Sequence, residues 1–203
     1  MKRIRPWGIA ILLLLTACAG PGERYPVSLS YQNEFPLPHP SGPLQRVTVF
    51  PLEDRRTDPQ WLGRRIHLFG QVDTFESRIP VGPGVTDLLI LALRQRGWDA
   101  HLPAPGIRPS EVTGERVLTG TIKSLRADAT SHLGYTQIEA QFTWYAEILN
   151  PSVGGKISFA ADDQSTPKVF IFRASVLEKT LNQLVSESLR RVQISGDPGI
   201  PAK

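Results

Sequence analysis

The chain's candidate nucleophiles and metal ligands are one cysteine, Cys18, and four histidines, His39, His67, His101 and His132. A single thiol excludes an intrachain disulfide and any multi-cysteine zinc or iron–sulfur site. No histidine has a second histidine at i+4 or a carboxylate at metal-ligand spacing. Glu53-Asp54 offers paired carboxylates for acid–base work, but a hydrolase built on them needs a pocket joining one of them to His67 or His101. Gly154-Gly155-Lys156 imitates a phosphate loop only in passing: Asn150 stands where the upstream glycine belongs, and Ile157 follows the lysine. A β-turn accounts for it. Asp162-Asp163 lacks the glycine and the terminal glutamate of a calcium loop and reads as a strand end. There is no G-x-S-x-G elbow. The expectation is a chain with no catalytic, metal or cofactor-binding residues, and so not an enzyme.

Cys18 acquires a meaning from its surroundings. Lys2, Arg3 and Arg5 form a positive start, Trp7 to Leu15 is apolar apart from Gly8, and small residues follow. About ten apolar residues cannot cross a hydrocarbon core that needs roughly 20 in a helix. The pattern is that of a secretory signal peptide over residues 1–17. Leu15-Thr16-Ala17-Cys18 resembles the lipobox of bacterial lipoproteins, which implies a diacylglycerol on the Cys18 sulfur, fatty acylation (palmitate-type chains) and cleavage before Cys18. Ala17-Cys18-Ala19 also fits ordinary cleavage after Ala19. Ala19 and Gly20 follow the cysteine with no aspartate. In the sorting pattern this resembles, that implies the outer membrane of a Gram-negative host, on its periplasmic face.

Residues 18–43 read as a tether. From Ala19 to Pro43 there are six prolines and three glycines in 25 residues, a composition that cannot be helical. Val27, Leu29 and Tyr31 alternate with serines, so a short strand is expected over 27–31. The remainder, 44–194, reads as one α+β domain, with 195–203 a loose tail. Strands are expected at 46–52, 98–102, 117–125, 137–149 and 156–161, and helices at 85–96 and 172–192. Thr86 or Asp87 would open the first helix and Gly97 would stop it. In the clearest strand Ile138, Ala140, Phe142, Trp144, Ala146 and Ile148 share one face and polar residues the other. That period describes a sheet with one dry and one wet side. The fold class is α+β: a mainly antiparallel sheet with two helices packed on one face.

Between them, residues 53–80 are charged and irregular. Five arginines there (Arg55, Arg56, Arg64, Arg65, Arg78) meet five acids, so a self-compensating loop or hairpin is expected. Trp61 and Phe69 read as core plugs under that loop or as exposed partner anchors. Asp54, Arg55 and Trp61 are the candidate partner surface, with an ion pair in the loop as the structural role of the first two.

The order of elements resembles the YajG-like family of bacterial lipoproteins. Val27-Ser-Leu-Ser-Tyr31, Val47-Thr-Val-Phe-Pro-Leu-Glu-Asp54-Arg55-Arg56, Leu62-Gly63, Leu88 to Gly97, Val117 to Leu125, the long strand to Ile148 and the closing helix carry the likeness. It implies a lipid-anchored, periplasm-facing α+β domain without assigned catalytic activity. LptE-type lipopolysaccharide-assembly lipoproteins share the same order behind a lipidated cysteine. Against them stand Glu139 and Glu147 on the wet face of the long strand, which would repel lipid phosphates.

Three functions follow as expectations. The first is a non-enzymatic anchored domain that binds an envelope protein or assists assembly. The second is an accessory of lipopolysaccharide or lipid transport, which needs an apolar groove or a basic surface. The third is an envelope hydrolase. The formal net charge of +4 does not point to nucleic acid. Without Lys2, Arg3 and Arg5 the mature chain balances 20 basic against 19 acidic residues. The membrane is then the expected partner through Cys18, with an envelope protein as the second; oligomeric state is not legible.

Overall fold

The computed structural model describes residues 22–32, 45–151 and 154–192. The signal peptide, the lipobox Leu15, Thr16, Ala17 and Cys18, part of the tether and the tail lie outside the described residues. Ten strands form one curled mixed sheet: β1 Arg24–Val27, β2 Gln45–Val49, β3 Glu53–Asp54, β4 Trp61–Ile66, β5 Val72–Ser77, β6 Trp98–His101, β7 Arg116–His132, β8 Tyr135–Asn150, β9 Gly155–Ser165 and β10 Lys168–Val169. Helices α1, Val81–Gln95, and α2, Ala174–Arg190, pack against it. This is the expected α+β architecture.

The spine is the β7–β8 hairpin, paired antiparallel from Val117↔Leu149 to His132↔Tyr135, with β9 antiparallel on the far side of β8. The strand period carries over to the coordinates. Ile138, Ala140, Phe142, Trp144, Ala146 and Ile148 are all buried, and the Trp144 indole donates to Ser188 of α2 at 2.9 Å. Along the other edge of β7 lie three short strands in sequence order, all parallel to it: β2 at its start, β3 in the middle, β4 at its end. The two glutamates on β8, Glu139 and Glu147, are exposed.

Helix α1 begins at Val81, four residues before the predicted start. Thr86 is not its cap. Its buried hydroxyl donates to the Gly82 carbonyl at 2.7 Å and accepts from the Leu52 amide at 2.8 Å, fastening the helix to the chain leaving β2. Pro80 precedes the helix, where its missing N–H costs nothing. Arg96, at the end of α1, donates to the carbonyls of Arg190 and Val192 at the end of α2. A cation suits that helix terminus. Asp162 and Asp163 lie inside β9, which runs four residues past the predicted end.

Residues 22–32, read from the sequence as tether, are extended and lie against the domain. The strand falls at Arg24–Val27 rather than 27–31 and pairs parallel with β5. Beyond it, residues 28–32 run along α2 and are held by side chains at every fourth helical position. The Ser28 amide donates to Glu178 Oε2 at 3.2 Å, that of Ser30 to Asn182 Oδ1 at 3.0 Å, and that of Gln32 to Ser186 Oγ at 2.9 Å. Arg190 donates to the Gln32 carbonyl. Four helical residues advance about 6 Å and two extended residues about 6.7 Å, so the two repeats stay in step.

In β1 the Tyr25 hydroxyl donates to the Glu23 carboxylate. That hydrogen bond, with burial adding to it, pushes the phenol from 10.0 up to about 12. The fold thus favours the protonated phenol. The stability it contributes is intact below pH 10 and is lost as pH rises through about 12. In urea unfolding, the difference between the wild type and Tyr25→Phe should be flat up to pH 10 and fall above it. A difference constant across that range would dismiss the coupling.

Candidate functional site

Sequence order leaves a gap on the edge of β7. Neighbour β3 covers Thr121 and Ile122, and β4 is not in register until Ala129. In between, the β7–β8 register shifts between Ile122 and Ser124, leaving Lys123 as the extra residue. A bulge there bends the strand and re-aims its side chains.

Arg56 fills the floor of the gap. Its side chain is 4% exposed and forms a two-pronged pair with Asp54, at 2.9 and 3.0 Å. The same guanidinium donates to the carbonyls of Pro59 at 2.7 Å, Trp61 at 3.0 Å and Leu125 at 3.3 Å. For Leu125 it supplies the donor that a neighbouring strand on the β7 edge would have supplied. On the far side, β4 approaches β7 so closely that a Cβ on Gly63, at φ +149°, would sit 1.9 Å from the Ala127 carbonyl oxygen. Only glycine fits there.

Above Arg56 opens a groove of about 560 Å³. Trp61 gives it an apolar wall, and Arg64, Lys123 and Arg126 bring cations to its rim, against Asp58 and Asp128. Asp128 is engaged, since its carboxylate accepts from the Arg64 amide at 3.0 Å. Arg24 stands over the Trp61 ring at 5.7 Å. Lys123 and Arg126 are exposed. The arrangement can hold an extended anionic or aromatic segment through cations and an indole face.

Of the three residues expected to form a partner surface, the structure places Trp61 in this groove. Asp54 lies beneath it as the partner of Arg56. Arg55 points elsewhere, to Glu53 at 2.7 Å on an exposed edge. The loop ion pair expected between Asp54 and Arg55 is therefore two pairs, each displaced by one residue. Arg55 bonded to it holds the Glu53 carboxyl below its ordinary range. Phe69 is no core plug: it is 94% exposed. Nothing in residue type distinguishes Arg56 from Arg55; the alternation of β3, which turns Asp54 inward, does.

The hydrolase expectation has no geometry behind it among the described residues. His67 pairs with Asp73 at 2.6 Å, and His101 contacts Glu115 at 3.2 Å and Thr48 at 3.3 Å. Neither lines the groove. Among the described residues no group of three or more His, Cys, Asp or Glu side chains is placed to hold a metal.

No family model and no curated protein matches the chain. Solved structures to which it is distantly similar include a Xanthomonas campestris protein of the family DUF330, at 11% identity, TM-score 0.47, covering 82% of this chain and 90% of that one. A PelC dodecamer from Paraburkholderia phytofirmans is similar at 14% identity and TM-score 0.41, covering 74% and 91%. Lipoprotein GNA1162 from Neisseria meningitidis follows at 12% identity and TM-score 0.40, covering 70% and 96%. These likenesses extend to a distantly shared fold and do not reach the YajG-like or LptE-type families.

Proposed function

We propose that the protein is a non-enzymatic envelope lipoprotein, anchored through Cys18 to the periplasmic face of the outer membrane, that binds an acidic segment of a partner protein in the groove above Arg56. The observation that carries the reading is the cation rim of Arg64, Lys123 and Arg126 around an indole wall, built over a floor already neutralised by Asp54. The floor is neutral, and three cations against Asp58 and Asp128 leave the lining with a net positive charge of one. Exposed cations around a partly apolar trough suit recognition of carboxylates on an extended chain. An accessory role in lipopolysaccharide transport draws on the same rim, with lipid phosphates as the anion. Glu139 and Glu147 lie on β8 and take no part in lining the groove, so their charge is no objection to either ligand.

The test is site-specific photocrosslinking from Lys123 in intact cells. A discrete protein adduct is expected with the wild-type rim. It should be lost when Arg64 and Arg126 are both changed to glutamate, while the folded protein persists at normal abundance. Adducts migrating with lipopolysaccharide would favour the transport reading. No adduct of either kind would refute both.

A further inference from the structure

We infer that the end of the molecule formed by the β4–β5, β7–β8 and β10–α2 connections inserts into the lipid surface beside the anchor. The inference rests on the proposal that Cys18 is lipidated.

Sheet registers bring these three connections together. Ile66, the last residue of β4, pairs with Val72 at the start of β5 and with Thr130 near the end of β7. His132 pairs with Tyr135 across the β7–β8 turn, and Val169 of β10 pairs with Thr136. The tips at Leu68-Phe69, Leu133 and Phe170-Ile171 are therefore at one end of the sheet. They are also the five most exposed large apolar residues among those described: Phe69 at 94%, Phe170 at 90%, Leu133 at 88%, Ile171 at 73% and Leu68 at 50%. Three separate turns each spend apolar side chains on solvent at the same end, which is the mark of a surface with an apolar partner.

The charges agree. Residues 64–72, 131–137 and 166–173 contain Arg64, Arg65, Lys168 and Arg173, with His67 and His132, and no aspartate or glutamate. The acids beside them are Asp73, which is buried, accepts from the Glu23 amide at 3.0 Å and contacts His67, Asp128, which accepts from the Arg64 amide at 3.0 Å, and exposed Glu139, which accepts from Gln137 at 3.0 Å. Glu23 accepts from Tyr25. Lys168 stands over the Tyr135 ring at 5.3 Å, and His132 stacks on the same ring at 4.7 Å. Apolar tips ringed by cations and an amphipathic aromatic fit the boundary between acyl chains and anionic headgroups.

What selects a bilayer over a second protein is the position of the anchor. Gly22 abuts this end: a Cβ there would sit 1.4 Å from the Val72 carbonyl oxygen, and the Thr74 amide donates to the Glu23 carbonyl at 2.9 Å. Cys18 stands four positions before Gly22, a span of at most about 14 Å even when fully extended. A lipid on Cys18 thus holds this end, and no other, against the membrane.

The test uses the full lipoprotein extracted from membranes and reconstituted into vesicles of phosphatidylethanolamine and phosphatidylglycerol. Single variants Phe69→Cys, Leu133→Cys and Phe170→Cys carry an environment-sensitive fluorophore, with Leu102→Cys as the control away from this end. All four sites are exposed, so labelling leaves the core intact. Labels at 69, 133 and 170 should shift to the blue and lose most of their emission to spin-labelled lipid, while the label at 102 does neither. Water-like emission at all four, on protein whose intact mass shows the lipid, overturns the inference and leaves the anchor. A blue shift without lipid quenching means that a protein covers this end, a second copy or a partner, and overturns it too. An unmodified mass overturns the anchor and the inference together.

Discussion

Arg56→Ala should lower the stability of the domain by about 3–5 kcal/mol, the range for breaking a buried ion pair by removing one partner. The cost comes from what is left behind. Asp54 keeps a carboxylate that is 21% exposed with no counter-charge bonded to it, and the carbonyls of Pro59, Trp61 and Leu125 lose their donor inside the sheet gap. Arg56→Lys should fall between, because an ammonium keeps the charge but cannot span two carboxylate oxygens and three carbonyls at once. Arg55→Ala is the matched control one residue away. Its pair with Glu53 is exposed on both sides, and removing an exposed pair should leave the urea midpoint where it is. Equal midpoints for the two alanine variants would sink the assignment of Arg56 as the plug. The double variant with Asp54→Ala should lose less than the sum of the two single changes, since each single change strands the other's partner.

The contrast between Arg55 and Arg56 marks the boundary of what the sequence makes legible. Period-2 and period-3.6 patterns are written by burial, so β8 with its Ile138–Ile148 face and α2 with Leu177, Leu181, Val185 and Leu189 can be read without coordinates. The gap in the β7 edge is not a local property. It arises because β2, β3 and β4 dock in succession on one long strand, and parallel pairings between residues 53 and 121, or 65 and 129, leave no trace in either segment. Lys123 and Arg126 look like ordinary wet-face residues until the bulge brings Lys123 to the rim. The start of helix α1 is hidden because Thr86 has the residue type of a cap, while its hydroxyl is used inside the helix to hold Leu52. Likewise Asn182 and Ser186 look like surface positions on α2. They are 1% exposed, and their burial depends on residues 28–32, more than 150 positions away.

Asn182→Leu should detach that segment. The wild-type side chain accepts from the Ser30 amide and donates to the Ser28 carbonyl at 2.9 Å and the Ser30 hydroxyl at 3.0 Å. Leucine fills the space but satisfies none of these groups, and each buried group left without a partner costs about 1–3 kcal/mol. Asn182→Asp isolates the donor half, because it retains the acceptor for Ser30 and loses the amide that serves Ser28. Hydrogen exchange at the amides of Ser30 and Gln32 should lose protection in both variants, more in the leucine one, while Trp144 in β8 keeps its own. If Trp144 loses protection in parallel, Asn182 supports the whole domain and not the segment alone. The release stops at β1, which stays paired with β5 over Arg24–Val27, so the domain remains held four positions from Cys18. A lipidated Asn182→Leu protein should therefore keep labels at Phe69 and Phe170 in the lipid surface while the amides of residues 28–32 exchange. Return of those labels to water would mean that Asn182 secures β1 as well as the residues it touches.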